Sequence, residues 1–294
     1  MAYNVSRFIP HVLENIGPHV DKIFVAFPSR PWSYNAKSRS ENKNTTTLEM
    51  IDSSKWNHKI EIIIGDWERE EDTRNSCLER ARNEGFEWLI TQDADEFYTD
   101  ASWDQINACL KNMPTEINAV RTTWYNFWKS SHYIISDIYG SIKDVNANFA
   151  LRCRPDIYFR RSRNPNVERS LVLDVPCYHY GWVMSDNEMW EKLSTWAHSN
   201  DFDVAQWYRF KWMNWSESTR YLNARHPLQW YSAIRFPLEQ PTFSHHFALD
   251  VDPQKTMAPA DRIREIAYNL GIVTRARVRR IREGLSSAKL IDRS

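Results

Sequence analysis

Apolar residues at Val5, Phe8, Ile9, Val12, Leu13 and Ile16 recur at the spacing of one helix face, and Gly17-Pro18 ends the run. The pattern then changes period. Lys22 to Phe27 (KIFVAF) predicts a short buried strand, and the polar stretch from Pro28 to Thr47 predicts a long loop. Lys59 to Ile64 (KIEIII) predicts a second strand. Glu70 to Glu84 follows as a helix with Cys77, Leu78 and Ala81 on its inner side. Trp88 to Thr91 (WLIT) predicts a third strand, which runs directly into Gln92-Asp93-Ala94-Asp95-Glu96. Ser102 to Asn112 predicts a helix capped by Ser102, and Ala119 to Tyr125 another strand.

Beyond Trp124 the strand-like pieces are Phe149 to Cys153, Ile157 to Arg161 and Leu171 to Val175, separated by polar turns. They predict an antiparallel continuation of the sheet. Asn187 to Trp215 returns to a helical pattern, and Asp261 to Leu270 with Val273 to Glu283 predict a terminal helical pair, the second dense in arginine. Neither an internal repeat nor a clean linker interrupts the chain. The alternation of helix and strand predicts an α/β fold. In open sheets of that class, ligands bind at the carboxyl ends of strands, which is where the acidic cluster falls.

Composition narrows the functional classes. Of 294 residues, 42% are hydrophobic, enough for a sizeable core. Lys plus Arg and Asp plus Glu both total 38, so no global field draws in nucleic acid or an anionic membrane, and any basic site must be local. Cys77, Cys109, Cys153 and Cys177 lack C-x-x-C spacing, which argues against a zinc site or a disulfide framework and suits a reducing cytoplasm. The first 16 residues carry Asn4, Arg7, His11 and Glu14, so they read as neither signal peptide nor membrane span. The 14 Trp, 13 Tyr and 13 Phe can fill a core or form platforms for sugars and bases. With only 7 Gly, a glycine-rich phosphate loop is not expected.

Two carboxylates one residue apart at a strand end can both reach one ion, and Mg²⁺ or Mn²⁺ shares such oxygens with substrate phosphates. A bare D-x-D is common by chance, so its surroundings decide. The segment from Gly65 to Tyr98, GDWEREEDTRNSCLERARNEGFEWLITQDADEFY, resembles the donor-binding core of the family 2 glycosyltransferases of the GT-A fold, in bacterial or phage form. The resemblance implies a Rossmann-type mixed sheet flanked by helices, with a helical C-terminal extension. It implies a donor half at 1–125, an acceptor-side half at 126–200 and a mainly helical extension at 201–294. Asp93 and Asp95 would hold Mn²⁺ or Mg²⁺ and the nucleotide diphosphate, with Arg74 and Asn75 beside the donor. The segment Tyr178-His179-Tyr180-Gly181-Trp182-Val183, with Lys192 further on, is similar to the H-Y-G segment of these enzymes. It implies His179 as a further metal ligand, with Trp182 and Lys192 on the donor side. Where the family carries an Asp-Gly-Ser-type turn, this chain has Ala26 to Trp32 (AFPSRPW). Asp66 then remains to read the base, with a uridine diphosphate sugar favoured on family frequency.

Sugar transfer puts positive charge on the anomeric carbon and negative charge on the leaving diphosphate, which a cation and Arg74 would stabilise. An inverting enzyme also needs a carboxylate to deprotonate the acceptor hydroxyl. Glu168 is the first candidate, with Asp144 and Asp156 behind it. The acceptor is open between a glycan, a lipid-linked sugar and DNA carrying a hydroxylated base. Arg152, Arg154, Arg160, Arg161, Arg163 and Arg169 form one basic cluster and Arg275, Arg277, Arg279, Arg280 and Arg282 another, either of which could grip an anionic acceptor. Two readings of other classes stand beside this one: a glycan-binding module without turnover, and a nucleotidyltransferase using two metals.

Overall fold

The computed structural model describes residues 1–30, 32, 44–195 and 202–291, excepting the side chains at 145–147, 194–195 and 279–291. Most of the expected polar loop, and the side chains of Arg279, Arg280 and Arg282, lie outside the described residues. The fold is mixed α/β, and the chain divides into two compact units. The first comprises Met1–Asn126, Lys143–Gly181 and Glu239–His246, and the second Phe127–Ile142, Trp182–Leu238 and Phe247–Ser294. The units are therefore discontinuous in sequence, unlike the three consecutive segments the resemblance implies.

In the first unit, α1 (Ile9–Ile16) starts later than the periodicity suggests, with Pro10 in its first turn, and buries Ile9, Val12 and Leu13. Strand β1 (Ile23–Pro28) precedes a short helix α2 (Leu48–Asp52), and β2 (Ile60–Gly65) pairs with β1 in parallel from Ile23↔Ile60 to Pro28↔Gly65. Helix α3 (Glu70–Asn83) opens on Glu70, Glu71 and Asp72 and closes on Arg80 and Arg82, charges that suit the helix dipole at both ends. Its inner side buries Leu78 and Ala81. Strand β3 (Trp88–Ile90) leads through the acidic turn to β4 (Glu96–Phe97) and then α4 (Asp100–Lys111). The cap of α4 is Thr99, which accepts from the Ser102 amide at 3.1 Å; Ser102 sits in the first turn instead of capping it.

Strand β5 (Ala119–Trp128) passes from the first unit into the second, where its last residues meet β6 (Ser130–Ser136). The chain returns as β7 (Asp144–Arg152), followed by β8 (Phe159–Arg161), β9 (Asn164–Pro165) and β10 (Ser170–His179). Strand β7 runs antiparallel to both β3 (Ile90↔Ala150) and β5 (Val120↔Ala150). Strand β10, by contrast, lies parallel to β5 and antiparallel to β4, with His179 opposite both Asn126 and Glu96. The continuation of the sheet is thus mixed, not purely antiparallel. Tyr98, Trp103, Ile106, Phe149, Val175 and Cys177 pack between α4 and the sheet. All four cysteines are free.

In the second unit β11 (Ser232–Arg235) pairs with β6, and α5 (Asp186–Thr195) and α6 (Val204–Trp207) precede a π-helical turn at Tyr208–Met213. The aromatic surplus is used here: Trp128, Trp182, Trp207, Trp212 and Trp215 share one core with Tyr268 and Ile272. The last two come from α7 (Pro259–Ile291), a single continuous helix where a pair was expected. Gly271 costs such a helix about 1 kcal/mol relative to alanine, but burying Tyr268 and Ile272 on either side of it exceeds that cost. Between the π-helical turn and α7 the chain holds β11 and irregular segments, so residues 201–294 are helical only in part.

Candidate functional site

The acidic turn sits at the carboxyl end of β3, in the first unit. Ala94 and Asp95 turn the chain, and the Glu96 amide donates to the Asp93 carbonyl at 3.1 Å. Gln92 and Ala94 line a cavity of about 350 Å³ beside α1 and β1, whereas Asp93 and Asp95 engage other partners.

Asp93 is clamped between two guanidiniums. Arg74 Nη2 lies 3.1 Å from Asp93 Oδ1 and also binds Glu70 Oε1 at 2.8 Å, and Arg163 Nη1 lies 3.4 Å from Asp93 Oδ2. Burial disfavours the carboxylate, but the two arginines outweigh it and hold Asp93 well below the usual carboxylate range. Arg163 continues inward to Glu96, which it meets with both Nη atoms, and donates to the Thr91 carbonyl at 2.7 Å. Glu96 is fully buried, and burial pushes its carboxyl up to about 7 against the pull of Arg163. The arginine guanidinium also lies over the Trp124 ring, 5.8 Å from its centroid.

Asp95 faces the other way. Its Oδ1 is 3.7 Å from His179 Nε2, and its carbonyl accepts from the Tyr180 amide at 2.8 Å. The imidazole is fixed on its far side: Nδ1 contacts Asn126 Oδ1 at 2.7 Å, and the ring stacks on Trp124 with centroids 4.6 Å apart. If that contact is an Nδ1–H donated to the amide oxygen, Nε2 carries the ring's lone pair on the side of Asp95. Gly181 borders the same space. A Cβ there would lie 2.5 Å from His179 Nε2 and 2.8 Å from Asp95 Oδ2, so the backbone at 181 comes up against both side chains and only glycine fits. The donor set, one carboxylate and one imidazole nitrogen 3.7 Å apart, is of the chemistry that takes the divalent cation the resemblance implies. Among the described residues no group of three or more His, Cys, Asp or Glu is placed to hold a metal.

Asp66 follows β2, where its carboxylate is ion-paired with Arg30 at the carboxyl ends of the parallel β1–β2 pair. Trp32 Nε1 lies 3.3 Å from Thr73 Oγ1 on α3.

Three expectations are corrected. The Asn75 amide is spent on the backbone of β8, accepting from Phe159 N at 2.8 Å and donating to Phe159 O at 2.9 Å, so it braces a strand instead of contacting the donor. Trp182 is buried in the core of the second unit, stacked on Trp128 at 5.9 Å, and Lys192 lies over its ring at 5.2 Å. Trp182, 7% exposed, therefore presents no open face to a nucleotide. Glu168 is exposed two residues before the start of β10; the register of β10 on β5, Ser170↔Ala119 and His179↔Asn126, sets that start seven steps of about 3.3 Å, or roughly 23 Å, from His179, too far for a base acting there. Asp144, in contrast, pairs in register with Trp124, the residue whose ring covers His179. Asp156 is exposed beside Arg154.

The first arginine cluster also divides. Arg152 is buried, donating to the carbonyls of Ile117 and Met113 at 3.0 and 2.9 Å and pairing with Glu87, and Arg163 is buried as described. Arg154, Arg160, Arg161 and Arg169 are exposed. Sequence reasoning also missed the parts played by Trp124, Asn126, Glu96 and Gly181, although Gly181 stands inside a quoted motif. Compared with known proteins, the chain matches no family model and no curated protein.

Proposed function

We propose that this protein is a metal-dependent glycosyltransferase that takes a sugar from a nucleoside diphosphate sugar, with a uridine diphosphate sugar favoured. The observation that carries the reading is the Asp95–His179 pair at the end of β3, with Gly181 packed against both side chains. In this reading Asp95 and His179 hold Mn²⁺ or Mg²⁺, with donor phosphates and water completing its shell. When bound, the cation neutralises charge that develops on the leaving diphosphate. Asp93, kept ionised and fixed by Arg74 and Arg163, accepts a hydrogen bond from a donor hydroxyl. Asp66 and Arg30, at the ends of β2 and β1, stand where a base is read in such sheets. Asp144 takes the acceptor's proton as its oxygen attacks the anomeric carbon and the bond to diphosphate breaks.

The test is release of nucleoside diphosphate from a panel of sugar nucleotides, with Mn²⁺, with excess chelator, and with Asp95→Ala and His179→Ala. The expected result is turnover that needs metal and falls by about 100-fold or more in either variant. Turnover undiminished in chelator, or in both variants, would sink the proposal.

A further inference from the structure

Helix α7 has two apolar faces, and the second unit covers only one. Inward, Tyr268 and Ile272 are buried, and Glu265 accepts from the buried Lys211 Nζ at 3.0 Å. At about 3.6 residues per turn, Ile263, Ile266 and Leu270 fall on the opposite side, followed one turn later by Thr274. These three apolar side chains are 70%, 53% and 65% exposed. Arg262 lies beside the start of the stripe, where it also pairs with Glu265 Oε2 at 3.1 Å, and Arg277 lies on it two turns beyond Leu270, while Arg264 and Arg275 fall between the stripe and the buried side; all four are exposed. In a chain of zero net charge, α7 alone carries eight cationic and three acidic residues. Of the acidic ones, Glu265 is buried, and Asp261 is tied to Arg209 at 2.6 Å and to Arg264 at 3.4 Å.

We infer that α7 is an interfacial helix that lies on an anionic lipid surface, with Ile263, Ile266 and Leu270 at the headgroup–acyl boundary and the flanking arginines against lipid phosphates. Charge and shape select this partner. Long cationic side chains beside an apolar stripe can seat the stripe in lipid while their heads stay at the phosphate level. A nucleic-acid backbone would satisfy the arginines and leave the isoleucines and leucine in water. A second copy of the helix would set arginine against arginine, with no carboxylate among the described side chains of that face to answer them. No described helix is long and apolar enough to cross a membrane, so the contact is with the surface. The inference stands apart from the glycosyltransferase reading, because no residue of the metal site takes part.

Co-sedimentation of the full chain with phosphatidylcholine vesicles, with and without phosphatidylglycerol, tests it. The protein is expected to pellet with the anionic vesicles and to be released by salt. Arg275→Gln and Arg277→Gln should each lower partitioning roughly fivefold. Ile266→Ser with Leu270→Ser should abolish binding at unchanged circular dichroism, since both side chains are exposed. The inference is overturned if anionic vesicles fail to bind at low salt, or if the serine variant binds as well as the wild type. It is equally overturned if sedimentation shows a dimer that the serine variant dissociates, or if duplex DNA binds with the same salt dependence and is unaffected by the serines.

Discussion

Gly181 stands so close to His179 that a methyl group on its Cα would lie 2.5 Å from the imidazole Nε2. The same methyl would meet Asp95 Oδ2 at 2.8 Å, so both proposed metal-holding side chains would have to shift. Gly181→Ala is therefore expected to remove Mn²⁺ binding, measured by electron paramagnetic resonance titration, and to lower turnover with it. Circular dichroism should remain that of the wild type. A variant that binds Mn²⁺ normally would show that the close approach of Gly181 serves another purpose.

Arg163 joins Asp93 and Glu96 from a distant turn, and removing it leaves the buried Glu96 carboxyl without its cation and Asp93 with Arg74 alone. Arg163→Met should cost about 3–5 kcal/mol of stability, read as a lower urea midpoint. The double variant Arg163→Met with Glu96→Gln should recover part of the loss, because one stranded carboxylate is gone. No recovery would mean that the arginine stabilises through packing alone.

The Asn75 amide exchanges two hydrogen bonds with the backbone of Phe159. Asn75→Ala should destabilise by about 1–3 kcal/mol, since the Phe159 N–H and carbonyl lose their partners. If Asn75 has no donor contact, KM for the sugar nucleotide should be unchanged. A rise in KM at unchanged stability would restore the role the resemblance implies.

Lys211 is buried in the π-helical turn, and burial lowers its ammonium to about 8 despite Glu265. The unfolded chain holds that proton up to the ordinary lysine range near 10.5, so between about pH 8 and 10 the unfolded state binds more protons than the folded one. Lys211 then contributes a stability that rises with pH across that window. Urea unfolding of the wild type and Lys211→Met at pH 7.5, 8.5 and 9.5, about one unit apart, should show the wild type gaining relative to the variant. Parallel curves would place the folded-state value of Lys211 outside this range.

The sequence by itself determined the acidic turn at the end of a strand, the helix that brings Arg74 to it, and the apolar periodicity of α1 and α3. These are local matters: period, turn chemistry and the order of elements fix them. The tertiary structure alone decided what each side chain does. Asp93 is an ion-pair partner because Arg163 arrives from 70 residues away, and Asp95 faces an imidazole because β10 sets His179 and Gly181 beside it. Glu168 is excluded by the extended run of β10, and Trp182 by a core built from residues scattered along the second unit. The two terminal helices proved to be one because Tyr268 and Ile272 are buried on both sides of Gly271, a gain invisible to a propensity that reads glycine as a stop. Each of these outcomes rests on long-range register and burial, which a residue's own neighbours in sequence do not encode.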